Sequence, residues 1–207
     1  MENLKLFKNF NYNEDLIINK HFIFIQIPKT GSTSILFSCK KIKNLTRSFT
    51  CYRHEGINYL LNTLSDEFKN KDIYTTVRNP FSQIVSWYVH VLRGHNANYL
   101  ISKKDIENFK PWLKKTGIND IHIKQNEYLL IDNKLPKNLK FFKFEDGIEN
   151  VIKYLNNKHN LNMDCLDFNK AEYGKFNYKQ FYDNESIQLV LKERKLDFEL
   201  FNYNKNI

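Results

Sequence analysis

The sequence predicts a single α/β domain built on a mostly parallel central sheet flanked by helices. Two segments carry that expectation, one from Phe22 to Leu36 and one from Asp72 to Leu92; each runs from a short apolar strand through a polar turn straight into a helix. Alternating strands and helices of this kind bury both faces of a parallel sheet. The third observation is size. The 207 residues contain no Pro/Ser-rich linker and no recurring repeat, which suits one compact unit. Hydrophobic residues make up 42% of the chain and aromatics 15%, enough for a sizeable core. The domain is expected over residues 21–207, with the Asn- and Lys-rich residues 1–20 loose before the first core strand.

In the first unit, Phe22 to Ile27 read as a buried strand over 22–27, Pro28 stops its hydrogen-bond ladder, and Gly31 permits a tight curl. Ser32, Thr33 and Ser34 then lead into a helix predicted over 33–43. The N–H groups of a first helical turn and the positive end of its dipole favour an anion, and Lys29 adds a full charge beside them. Thr30, Ser32, Thr33 and Ser34 bring further hydroxyl donors, so the turn reads as a phosphate site. It is not a Walker A loop, GxxxxGK[ST], because Lys29 precedes the glycine by two residues. The plainer reading is a strand-to-helix turn with a solvated lysine and capping hydroxyls.

A helix is expected over 55–69, and a short strand around Phe49 to Tyr52 would bring His54 beside the first turn. The second unit has a strand at 73–78, then Asn79 as helix N-cap and Pro80 at the first helical position of a helix over 80–93. Arg78 therefore stands at a strand's C-terminal end, where open α/β sheets bind ligands, and Ser86 lies about two turns into the helix. A guanidinium fork and a hydroxyl could hold one phosphate from two sides. Alone, the pair reads more readily as a surface ion pair and a serine bonded to its own backbone. Residues 94–104 suit a loop, followed by helix 104–115, strand 139–144, helix 146–158 and helix 183–193.

Taken together, the two units resemble the sulfotransferase superfamily, and most closely its carbohydrate branch. PKTGSTS at Pro28 to Ser34 is similar to the PKxGxTS-like loop that holds the 5′-phosphosulfate of 3′-phosphoadenosine 5′-phosphosulfate (PAPS) in that family. Arg78 and Ser86, eight positions apart in RNPFSQIVSWY, match the arginine and serine that hold its 3′-phosphate. His54 falls where the branch has a histidine opening a helix between the motifs, Gln125 in IKQNEYL resembles a Q-x-x-Y-L element, and KFFKFEDGIENV from Lys140 resembles a strand, acidic pair and helix. The segment from Asn169 to DFELFNY is similar to the family's closing segment. Gln83 stands where the family often has arginine, and Ser32 where it often has glycine or threonine.

The resemblance implies a P-loop-like sulfotransferase fold and transfer of the sulfuryl group of PAPS to an acceptor hydroxyl on a carbohydrate or other small molecule. It makes Lys29, Thr30, Gly31, Ser32, Thr33, Ser34, Arg78 and Ser86 the cofactor-binding candidates, with Lys29 also stabilising the leaving phosphate. Lys175, in AEYGKFNY, is a further candidate that could reach the cofactor phosphate from a late loop, although a solvated lysine is the commoner outcome. His54 becomes the candidate general base, since an imidazole titrates near neutral pH; by chemistry alone it reads as a capping or exposed histidine. Glu55 is the reserve base, then His95. Trp87 and Tyr88 suit packing of the second helix, while Trp112, Tyr99 and His122 would line an acceptor groove if they are not packing residues. No His, Cys, Asp or Glu cluster has metal-ligand spacing, so metal-independent transfer is expected. Two rivals stay open: a P-loop kinase or nucleotide hydrolase using Glu145 or Asp146 to organise magnesium, and a non-catalytic anion- or glycan-binding module on the same fold.

The net charge of +9, from 32 Lys+Arg against 23 Asp+Glu, favours anionic partners. An AT-rich coding bias toward Asn, Lys and Ile would give the same balance; no concentrated basic stripe or binding module points to nucleic acid, and a polyanionic cofactor with an acidic glycan acceptor fits the charge at least as well. Cys39, Cys51 and Cys165 form no C-x-x-C pair and suit buried, reduced thiols. MENLKLFKNF lacks a signal-peptide apolar core and FIFIQI is too short to cross a bilayer, so a soluble cytoplasmic protein is expected. Sequons at Asn44 and Asn184 are what an Asn-rich chain yields by chance.

Overall fold

The computed structural model describes residues 17–18, 21–39, 54–64, 66, 70–94, 99–120, 122, 124–166 and 177–207. Its centre is a four-stranded sheet in the order β1 (Ile17–Ile18), β2 (Phe22–Ile25), β3 (Asp72–Val77) and β4 (Leu139–Lys143). The α/β expectation holds: β2, β3 and β4 are parallel, and β1 adds a short antiparallel edge within the segment where sequence patterning assigns no element. The register sets Ile25 beside Thr75 and Val77 beside Lys143, so the turns after β2, β3 and β4 leave from the same edge of the sheet. That edge is where ligands bind in open α/β sheets.

Strand side chains alternate between faces, and the alternation sorts the core. Ile23, Ile25, Ile73 and Val77 pack with Ile57, Leu60, Leu129 and Phe201 on one face. Phe22, Phe24 and Tyr74 pack with Ile35, Leu36, Val151, Ile152 and Leu155 on the other. The first face is covered by α2 (Ile57–Thr63), α5 (Gln125–Leu129) and α8 (Lys195–Leu200), and the second by α1 (Ser32–Cys39) and α6 (Ile148–His159). A third cluster joins α3 (Pro80–Arg93) to α4 (Lys103–Lys115) and α7 (Asn184–Glu193) through Phe81, Tyr88, Phe109, Leu113 and Val190. Each fully buried Phe, Ile or Leu contributes about 1.5–3 kcal/mol, so the three clusters hold the layers against chain entropy.

Helix α3 begins as its sequence dictates. The Asn79 side-chain oxygen accepts from the Phe81 N–H at 3.0 Å and Pro80 occupies the first turn. At its other end Gly94 takes φ 52° and donates its N–H to His90 C=O. Helices α1 and α2 are described over shorter spans than the patterns predicted, and the strand expected near Phe49 to Tyr52 lies outside the described residues. The five-residue α5 and six-residue α8 are absent from the sequence reading. No helix among the described residues is long and apolar enough to cross a membrane.

Candidate active site

The turn between β2 and α1 is held from behind by its carbonyls. Ile27 C=O accepts from the Thr30 hydroxyl at 2.9 Å and from Ser32 at 3.3 Å, Pro28 C=O from Gln83 Nε2 at 2.9 Å, and Lys29 C=O from an Arg78 Nη at 3.1 Å. The peptides are trans, so each N–H points opposite to the carbonyl of its own peptide unit. Tying back the Pro28 and Lys29 carbonyls therefore turns the Lys29 and Thr30 N–H groups away from Gln83 and Arg78. Lys29 accepts φ 63° and Gly31 φ 85° in this curve, an alternation that turns successive amides toward a common point. A left-handed lysine costs about 1–2 kcal/mol, which the three carbonyl ties offset.

Gly31 is required twice over. A Cβ there would lie 2.6 Å from Ile148 Cδ1 and 2.9 Å from the Phe144 ring, so the turn can press against the connection between β4 and α6 only without a side chain. The hydroxyls divide by role. Thr30 is fully buried and shares a hydrogen bond of 3.0 Å with Thr76 of β3, so its hydroxyl braces the loop from inside. Ser32 and Ser34 are buried at the start of α1, and Thr33 is partly exposed beside them.

Arg78 emerges from β3 into a fitted seat. Its Nε donates to Ser82 Oγ at 2.9 Å, and its guanidinium lies over the Phe144 ring at 4.6 Å. Ser82 is thus its direct serine partner; Ser86 lies one turn further along the same face of α3. Burial pulls the Arg78 guanidinium below its ordinary value, opposed by the charge of Glu145, and an arginine remains charged through such a shift. Nε and one Nη are engaged by the protein, which leaves the other Nη arm of the fork for an anion.

The backbone of Arg78 is clamped by Gln125. Gln125 Oε1 accepts from the Arg78 N–H and Gln125 Nε2 donates to the Arg78 C=O, both at 2.7 Å, so a fully buried amide replaces a neighbouring strand where β3 runs out. Gln125 is seated in turn by Asp197 of α8, whose carboxyl accepts from the N–H groups of Gln125 at 3.3 Å and Asn126 at 2.8 Å. Burial pushes the Asp197 carboxyl up to about 7, against the opposing pull of the Asn126 N–H and Arg194. Glu145 closes the same edge, accepting from the Asn79 N–H and from the Tyr203 hydroxyl, each at 2.8 Å.

His54 sits where the chain enters α2, its Nδ1 2.6 Å from Gln26 C=O. A carbonyl only accepts, so Nδ1 carries the hydrogen and, in the neutral ring, Nε2 carries the lone pair. Glu55 follows it in the same turn. The structure therefore brings Lys29, Arg78 and His54 to one edge of the sheet, with Ser86, Trp87 and His90 along α3 beside them. Burial, and then the charges of Lys29 and Arg93, hold the His90 imidazole below its ordinary value. Lys175 and His95 lie outside the described residues. Tyr88 is buried in the third cluster and Trp112 packs against it, while His122 stacks on Trp87. Among the described residues no three His, Cys, Asp or Glu side chains are grouped to hold a metal ion. A shallow groove between α4 and α7, lined by Lys114, Ile118, Glu185 and Leu189, shares no residue with this edge.

The roles of Gln125, Gln83, Thr76 and Asp197 were not legible as roles in the sequence. Gln125 stood out only by its resemblance to a family element, and Gln83 only as a departure from one. Their work is hydrogen bonding across 47 and 55 positions of chain, which local patterning does not register.

No family model and no curated protein matches the chain. Among solved structures, it is similar to the crystal structure of mouse sulfotransferase SULT7A1 complexed with PAP, at 14% sequence identity and a TM-score of 0.43, over 90% of this chain and 84% of that one.

Proposed function

We propose that this protein is a sulfotransferase that moves the sulfuryl group of PAPS to a hydroxyl of a carbohydrate or other small acceptor. The observation that carries the reading is the joint between the two motifs: Arg78 of RNPFSQIVSWY donates to the backbone of Lys29 in PKTGSTS at 3.1 Å. Two segments that resemble the family's two phosphate sites thus meet at one sheet edge. Their residues fit a doubly phosphorylated ligand. The Lys29 and Thr30 N–H groups, the α1 terminus and the Lys29 ammonium suit the 5′-phosphosulfate, while the outer Nη of Arg78 and Ser86 suit the 3′-phosphate.

The acceptor oxygen forms the new bond to sulfur as the bond to the bridging 5′-phosphate oxygen breaks, and the acceptor's proton leaves to a base. Lys29 meets the charge that grows on the departing oxygen, and the ordered N–H groups do so without reorganisation. His54 takes the acceptor proton on Nε2, since Gln26 C=O fixes its hydrogen on Nδ1. Lys175, which lies outside the described residues, is the remaining candidate for a contact to the cofactor phosphate.

The test is incubation with labelled PAPS and a panel of glycans, alcohols, phenols and amines, with calorimetry of the desulfated product PAP. Arg78→Ala should weaken PAP binding by about 1.5–3 kcal/mol, the scale of a hydrogen bond to a charged group, and Ser86→Ala less. Adenosine 5′-phosphate, lacking the 3′-phosphate, should bind Ser86→Ala like wild type and should lose less than PAP does on Arg78→Ala, where only the tie to the Lys29 carbonyl is missed. Equal PAP affinity in all three proteins overturns the assignment of the 3′-phosphate, and magnesium-dependent ATP hydrolysis in place of PAPS use returns the kinase reading.

A further inference from the structure

We propose that Asp120, His122 and Trp87 form a second hydroxyl-binding group at the acceptor site, so that the acceptor is a polyhydroxylated molecule held by two imidazoles. The inference rests on the transfer reading above and adds to it residues that neither motif contains.

Asp120 collects three donors. Its Oδ1 accepts from the His122 N–H at 2.9 Å and from His122 Nδ1 at 2.7 Å, and its Oδ2 accepts from Trp87 Nε1 at 2.7 Å. Burial pushes the Asp120 carboxyl up, but the donors from His122 and Trp87 outweigh burial and leave it below the ordinary carboxylate value. An ionised carboxylate only accepts, so Nδ1 of His122 carries the hydrogen and Nε2 of the neutral ring carries the lone pair. The ring is also fixed in orientation. It stacks on Trp87 with centroids 4.9 Å apart and planes 16° from parallel, and His90 lies 5.4 Å from the other part of the assembly, the Trp87 ring. The His122 side chain is nevertheless 45% exposed, which is not how a core histidine sits. A short turn accounts for the backbone bond to Asp120. It does not account for an indole brought from α3, 33 positions away, to brace the same carboxylate.

The group adjoins both halves of the proposed centre. Gln83, Trp87 and His90 recur at i, i+4 and i+7 on α3, one face of the helix, and Gln83 on that face bonds to Pro28 next to Lys29. On the other side, Asp120 and His122 lie just before α5, and α5 packs on the turn that holds His54. A Cβ at Gly56 would lie 3.4 Å from Glu127 C=O and Tyr128 Cα. Burial, then the charges of Asp120, Glu127 and Glu55, raises the Tyr128 hydroxyl to about 12, which sets Asp120 and Glu55 around one residue. His54 and His122 thus stand on neighbouring elements, each with Nδ1 held by an oxygen. His54 receives the proton of the reacting hydroxyl, and His122 accepts a hydrogen bond from a second hydroxyl of the same molecule. A compound with one hydroxyl gains nothing from His122.

The experiment compares transfer from PAPS to cis-1,2-cyclohexanediol and to cyclohexanol, using the full chain. Wild type should favour the diol in kcat/KM by about five- to tenfold, the worth of one neutral hydrogen bond. His122→Ala should remove most of that preference. Asp120→Asn, which no longer dictates the tautomer, should reduce it in part while keeping the ring. Equal treatment of the two alcohols by wild type, or a preference that survives His122→Ala, overturns the proposal. If wild type sulfates neither alcohol, the transfer reading is at fault, and the subsite is decided by binding. Methyl β-D-galactopyranoside titrated into the protein labelled at histidine nitrogen should then move the His122 Nε2 resonance in wild type and less in Asp120→Asn; an unmoved resonance overturns it.

Discussion

Replacing Gln125 with leucine removes the clamp on Arg78 while nearly preserving side-chain volume. The two bonds lost are both 2.7 Å long, one to the Arg78 N–H and one to its C=O. Each group left without a partner costs about 1–3 kcal/mol; because the Arg78 backbone is only part-buried, the lower half of that range applies and the total comes to about 2–4 kcal/mol. The same peptide carries the guanidinium that reaches Ser82 and Lys29, so Gln125→Leu should also weaken PAP binding by about tenfold. Gln125→Glu separates the two bonds. Its carboxylate still accepts from the Arg78 N–H but opposes the Arg78 C=O until it is protonated and can donate. Relative to wild type at the same pH, the loss in Gln125→Glu should therefore be larger at pH 8 than at pH 5. Urea unfolding at both pH values, with calorimetry of PAP, measures all three quantities. A Gln125→Leu protein within about 0.5 kcal/mol of wild type, or a Gln125→Glu loss that ignores pH, would refute the clamp.

Lys29→Ala should reduce single-turnover transfer more than PAP affinity, because charge on the leaving oxygen grows only as the bond breaks; equal losses would make Lys29 a binding residue alone. Lys29→Gly should unfold at higher urea than Lys29→Ala, by about 1 kcal/mol, since both lack the side chain and only glycine takes φ 63° without strain. His54→Asn should cut transfer by about 10²–10⁴-fold with PAP binding nearly intact, and a Glu55→Gln protein that loses transfer while His54→Asn keeps it would move the base to Glu55. Asp197, raised to about 7 chiefly by burial, keeps in the folded protein a proton that the unfolded chain releases near pH 4. Its contribution to stability is present below pH 4 and lost as pH rises through about 7, by up to about 4 kcal/mol, and Asp197→Asn should flatten that part of the unfolding profile; identical profiles would show that Asp197 is ionised throughout.

The parallel sheet, the Asn79-capped helix and the turn at Gly31 were legible in the sequence because each depends on residues within one or two turns of chain. Alternation sorts Ile23 and Ile25 from Phe22 and Phe24, a proline and an asparagine start α3, and a glycine marks a left-handed bend. The short α5 escaped that reading because its first N–H groups are satisfied by Asp197, 71 positions away from Asn126, in place of a local cap. Sequence alone also placed a lysine, an arginine and four hydroxyls at strand exits, which is enough to point to an anion. Only the tertiary structure decided how they divide the work. It turned Thr30 inward onto Thr76, gave Arg78 to Ser82 and the Lys29 carbonyl, and set Gln125 behind Arg78. It also joined Trp87, Asp120 and His122 into one group. Periodicity and capping record what a residue does to its own segment; a hydrogen bond between segments depends on where the packed layers bring them, and that is settled only when the core closes.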